Sequence, residues 1–186
     1  MSDVNERAAA RDATNWAKKV STLNVAEVPE GAVNINVEGK RLAGPIQGFG
    51  KMWQKTYQVR LPQERVSATD LIATWKQRFP EFWPEGNSFY GPLTGIAPGE
   101  VALLNMTLPG KMKLSTGVMV LYADEESFTL MTPEGHMFAG WITFQSRFVS
   151  NTIQPRAEAS SRPRRACRFV SRGRRPTRAP RRCDAR

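Results

Sequence analysis

Few groups in this chain are able to do chemistry. His136 is its only histidine, so any acid–base or Ser–His–Asp arrangement must run through it. An imidazole with an unperturbed pKa of about 6.5 titrates in the physiological range. No G-x-S-x-G nucleophile elbow accompanies it. Two readings of His136 stand side by side: a turn-adjacent ring bonded to backbone, or a ligand-contacting or acid–base residue. Residues 1–146 contain no cysteine, so only carboxylates remain to hold a metal there. Asp124-Glu125-Glu126 lacks the ligand spacing of a calcium loop. Gly44-Pro45-Ile46-Gln47-Gly48-Phe49-Gly50 has no G-K-[ST] ending and is not a phosphate loop. Cys167 and Cys183 have no histidine near them, which makes weak evidence for zinc. No metal and no cofactor is expected, and whether the chain is an enzyme stays open.

Binding is better represented than reaction. Trp53, Trp75, Trp83, Phe89, Tyr90 and Trp141, with Met106, Met112, Met119 and Met131, suffice to line an apolar cavity. Such pockets are mostly apolar with a few polar anchors, and methionine adapts to irregular shapes. Asn105, Thr107, Thr116 and His136 are the candidate anchors. The candidate contact set is therefore Trp53, Trp83, Tyr90, Asn105, Thr107, Thr116, His136 and Trp141. For each of them, ordinary core packing is the competing reading.

The net charge of +10 points first to nucleic acid or an acidic surface. Its distribution changes that. Residues 147–186 hold 13 Arg, no Lys and only Glu158 and Asp184 as acids. The remainder is near neutral. Arg164, Arg165, Arg172, Arg174 and Arg175 would serve a sequence-independent, salt-sensitive contact with phosphate backbone. A plain solvated tail is the second reading. A reading-frame shift near residue 145 is the third, because Arg, Ala, Pro, Ser and Gly without Lys are what GC-rich DNA encodes out of frame. No run approaches the roughly 18 apolar residues of a membrane span, and Met1–Lys19 has no signal-peptide core. A cytoplasmic location is expected.

The elements that must position these residues follow from spacing. Residues 4–20 predict a helix within an N-terminal segment 1–24, on the strength of frequent Ala and no internal Gly or Pro. Val33, Ile35 and Val37 alternate with asparagines, predicting a short strand. Residues 51–61 alternate with Trp53, Tyr57, Val59 and Leu61 on one face, which Lys55 interrupts. Ser67 and Asp70 form a weak capping box ahead of Leu71, Ile72, Trp75 and Phe79 at helical spacing. Residues 79–99 predict an aromatic loop packed on something or lying over a cavity. Strands are expected at 101–108, 114–122, 128–132 and 136–144, joined by turns and paired antiparallel. From about Gln145 the alternation stops, and 145–186 is expected to be a disordered Arg-rich tail. The fold class is α+β, with a curved antiparallel sheet packed on one or two helices.

The hairpin Phe128-x3-Thr132-x2-Gly135-His136-x3-Gly140-x3-Phe144 resembles a bacterial and plant family of unknown function within the START-like, helix-grip superfamily of polyketide cyclases and lipid-transfer proteins. The order strand, helix, meander is similar to that superfamily over about residues 45–144, so 25–144 is expected to be the START-like domain. Trp141 and Ile142 depart from the charged residues expected there. The long C-terminal helix that closes the superfamily's cavity has no counterpart, and the Arg-rich tail stands in its place. The resemblance implies a cavity for a small apolar or amphipathic ligand, lipid included, and no defined reaction. A cyclase or dehydratase using His136 with Tyr90 or Asn105 is the alternative, and nucleic-acid binding through the tail is another. An uncovered sheet face would expose the chain to homodimerisation or aggregation.

Overall fold

The computed structural model describes residues 12–62, 66–108, 110–149 and 152–163. Its centre is an antiparallel sheet of eight strands: β1 (Trp53–Gln58), β2 (Leu61–Pro62), β3 (Ser88–Tyr90), β4 (Val101–Leu108), β5 (Met112–Ala123), β6 (Ser127–Met131), β7 (Phe138–Val149) and β8 (Thr152–Pro163). The order is β1-β8-β7-β6-β5-β4-β3, with β2 also paired to β8. The last strand therefore lies beside the first, and the curved sheet stays open between the edges β1 and β3. One helix, α1 (Ala68–Gln77), and a 3₁₀ turn (Phe79–Phe82) pack on its inner face. This is an α+β, helix-grip-like architecture.

Helix α1 starts as its sequence dictates. The Ser67 hydroxyl accepts from the Asp70 amide at 3.0 Å and donates to the Asp70 carboxylate at 2.6 Å, satisfying an otherwise orphaned N–H. Ile72 is fully buried, and Trp75 and Phe79 follow on the same face. Phe79 is the hub of the inner core. It meets Phe89, Phe128 and Phe144 edge-on at 4.9, 5.5 and 5.1 Å. Edge-to-face geometry sets the positive rim of one ring against the negative face of the next.

The outer face is covered by the segment from Asp12 to Ala43. Leu23 and Val37 pack there against Leu103 and Met119. Trp16 forms a β-bridge with Tyr122, and their rings meet at 4.8 Å. Gly117 is needed for this cover: a Cβ would run into the Ala102 carbonyl and stand 2.9 Å from Val37.

Three expectations are corrected. Residues 12–24 are not helical beyond a 3₁₀ turn at Ala13–Asn15, and residues 1–11 lie outside the described residues. The chain instead runs extended on the sheet, where Ala17 N–H donates to the Leu121 carbonyl at 2.8 Å. The strand expected at 33–37 is a series of bends. Only Val37 of its alternating residues is buried, and Asn36 donates to the Ser115 carbonyl at 2.9 Å in place of a ladder.

The third correction concerns the tail. The sheet continues through Val149, and Thr152–Pro163 pairs with β1 on one side and β7 on the other. Residues 145–149 and 152–163 thus belong to the folded body, and the boundaries at 144 and 145 move outward. Arg156 is held at 2.5 Å by Glu158 on the outer face, beside Gln58–Gln154 at 2.6 Å and Gln54–Glu158. Pro155 lies opposite the gap between β1 and β2, where its missing N–H is no loss.

Candidate functional site

The inner face carries two recesses. Strand alternation sends Phe128 and Leu130 of β6, Ile142 and Phe144 of β7, and Ala157 and Ala159 of β8 to this side. The β8 residues are small, so the sheet surface falls away as it approaches β1. α1 packs over the centre of the sheet, Trp75 meeting Phe128 and Phe144, the 3₁₀ turn covers the β3 side through Phe79 and Phe89, and the β1 edge is left open. The result is an apolar groove of about 800 Å³ between α1 and the β1–β8 edge, lined by Tyr57, Val59, Leu61, Trp75, Phe82 and Ala157 among others. Tyr57, Val59 and Phe82 are each more than half exposed there. A pocket of about 210 Å³ lies deeper, between Phe79, Trp83, Leu130, His136, Phe144 and Ala159.

Two candidates line the deeper pocket, and two more share the inner face without lining either recess. Trp83 stacks on Phe89 at 5.6 Å and lines the deeper pocket. His136 lines it too; Trp141 borders it from β7, but its side chain alternates to the outer face with Met131 and Ser160. Trp53 stands on the inner face of the edge strand, opposite Ser161. Thr116 is cross-strand partner to Leu104, fully buried, and its hydroxyl has no hydrogen-bond partner among the described residues.

Three candidates do not converge. Tyr90 donates to the Gly31 carbonyl at 3.1 Å, and Asn105 donates to the same oxygen at 2.9 Å. Both belong to the outer side, facing the N-terminal cover. Thr107 ties a strand end, donating to the Gly86 carbonyl at 2.8 Å and accepting from Lys113 at 3.0 Å. The sequence correctly places Asn105 and Thr107 on a strand, whereas Tyr90, expected in a loop, ends β3. Which face each strand buries depends on both layers that cover the sheet, and local spacing predicts a helix and a short strand, not an extended cover, for the outer one.

This separation bears on catalysis. His136 Nδ1 faces the amide and carbonyl of Phe138, each at 3.1 Å, so its ring braces the turn into β7. Tyr90 and Asn105, its expected partners, sit on the far side of the sheet. The pocket around His136 is nearly all apolar. Asp124, in the β5–β6 turn, accepts from the amides of Glu126 and Ser127 at 2.8 and 2.6 Å and from the Tyr122 hydroxyl. It is occupied in shaping the turn. Among the described residues, no cluster of three or more side chains is placed to hold a metal ion. Nor is any helix long and apolar enough to cross a membrane. Arg164, Arg165, Arg172, Arg174 and Arg175 lie outside the described residues.

The lining residues missed from sequence are Tyr57, Val59, Leu61 and Ala157. The alternation of 51–61 signals the first three as one face. Ala157 carries no signal, because composition predicts a tail there.

A first strand flanked by the last, a helix over the inner face and a meander between them together decide the fold. The chain has a helix-grip-like α+β fold. No protein-family model matches it, and no curated protein is detectably similar. Solved structures of similar course include a START superfamily protein from Mycobacterium smegmatis, at 16% identity and a TM-score of 0.40, covering 62% of this chain and 79% of that one. Ginseng major latex-like protein 151 from Panax ginseng aligns at 13% identity and a TM-score of 0.44, covering 61% and 81%. Truncated norcoclaurine synthase from Thalictrum flavum aligns at 16% and 0.37, covering 60% and 77%. The description of the fold rests on this chain's own strand order and register.

Proposed function

We propose that the inner face binds a small apolar or amphipathic molecule and that the chain performs no chemistry on it. The observation that carries this reading is the apolar groove left open between α1 and the β1–β8 edge. Its size is in the range of small-molecule sites, which bury most of a ligand against apolar walls. Two features support binding over mere packing. Large apolar side chains are exposed on one concave side, and the small residues of β8 leave room before them. The paucity of polar groups around His136 supports a carrier over an enzyme.

Dodecanol, added to the full chain below its solubility limit, tests this. Saturable quenching or blue shift of tryptophan emission is expected, because Trp75 lines the groove. Native mass spectrometry should show a one-to-one complex. Ala157→Phe, which fills the groove from β8, should abolish binding while leaving the far-ultraviolet circular dichroism unchanged. Unsaturable binding, or equal binding by the variant, would overturn the proposal.

A further inference from the structure

The groove's chemistry points to one class of amphiphile. Among the described strands, every inward-facing position from β3 to β8 is apolar or hydroxyl-bearing. Lys55 on β1 is the one charged residue on that face. It sits between Trp53 and Tyr57, also inward, and opposite Ala159 of β8. Ala159 lines the deeper pocket, while Ala157, opposite Tyr57, lines the groove. Lys55 itself lines neither recess, but its register sets it beside a residue of each, Ala159 of the pocket and Tyr57 of the groove. It enters none of the ion pairs of the described residues, and no side-chain hydrogen bond engages it. The acidic residue nearest in register, Glu158, points to the outer face and is held by Arg156 and Gln54.

We propose that the groove selects an anionic amphiphile, a long-chain carboxylate, whose headgroup pairs with the Lys55 ammonium while its chain lies between Ala157 and Trp75. This rests on the groove being a ligand site. A flexible ammonium on an exposed stem suits such a headgroup, since it can follow the carboxylate and keep partly in water. The competing role for Lys55 is to guard an edge strand, because an inward charge discourages pairing with a second sheet.

The test compares dodecanoate with dodecanol, both below their aggregation limits, titrated into the full chain at about 0.15 M salt. Dodecanoate is expected to bind about fivefold tighter, as befits a single exposed ion pair. Lys55→Gln should bring that ratio to about one without changing dodecanol affinity. Lys55→Arg should keep it. Lys55→Glu retains a guarding charge and should lower dodecanoate affinity selectively. An anion preference that survives Lys55→Gln would place it elsewhere, in the arginines of 164–186 above all, and overturn the inference. Equal binding of both ligands by the unaltered chain would overturn it too, while leaving the groove as an apolar site. Binding of neither would overturn both readings.

Discussion

Phe79 and Phe144 meet edge-on at 5.1 Å, joining the end of the helix region to the centre of β7. Phe79 leaves α1 just where Pro80 stops it, and its ring turns into the sheet. The floor of the deeper pocket is built on this contact.

Removing that ring tests how the inner face is held. Phe79→Ala deletes a side chain that is only 5% exposed and touches four other aromatic rings. The expected loss is about 3–5 kcal/mol, the transfer free energy plus the cavity left behind. Chemical denaturation of the two proteins measures it directly. A loss under about 1 kcal/mol would mean that the core collapses around the gap.

Thr116 should behave in the opposite way. Its hydroxyl is buried without a partner, so the folded state bears a desolvation cost with nothing in return. Thr116→Val keeps the shape and removes the polar atom. Stability is expected to stay level or rise by about 1 kcal/mol. A clear destabilisation in thermal melts would reveal a partner that this arrangement lacks, such as a buried water.

Lys76 gives a pH signature. Its ammonium donates to the Asp124 carbonyl at 2.6 Å in a partly buried recess. Burial pushes its pKa below the ordinary lysine value, and the nearby Asp124 and Glu125 carboxylates offset this only in part. The folded chain therefore releases this proton at a lower pH than the unfolded chain does. Between the two values the unfolded state holds more protons, so stability rises with pH across that window. Below it, the cost of the half-buried charge is present in full. Lys76→Met should flatten this alkaline rise in melts run from neutral pH upward. An unaltered slope would assign the rise to another group.

Much of the architecture is legible without coordinates. β4 coincides with the expected strand at 101–108, and α1 begins where Ser67 and Asp70 say it should. These are local matters: hydrophobic period, turn residues and a side-chain cap act within a few residues of one another. β8 was not legible. Its sequence, T-I-Q-P-R-A-E-A-S-S-R-P, has two prolines and few residues that favour strands. It becomes a strand because β1 and β7 supply hydrogen-bonding partners on both sides.

The sites divide along the same line. The sequence alone determined that this chain holds one histidine, five tryptophans and no cysteine before residue 167. It also determined that Trp53, Lys55 and Tyr57 share one side of a strand, because a strand alternates every two residues. Only the tertiary structure decided which way that side looks. Packing α1 on one face and residues 12–43 on the other turned Trp83 and His136 inward and Tyr90 and Asn105 outward. A strand cannot choose between its faces by itself; that choice is made by what covers each of them, and those layers come from distant parts of the chain.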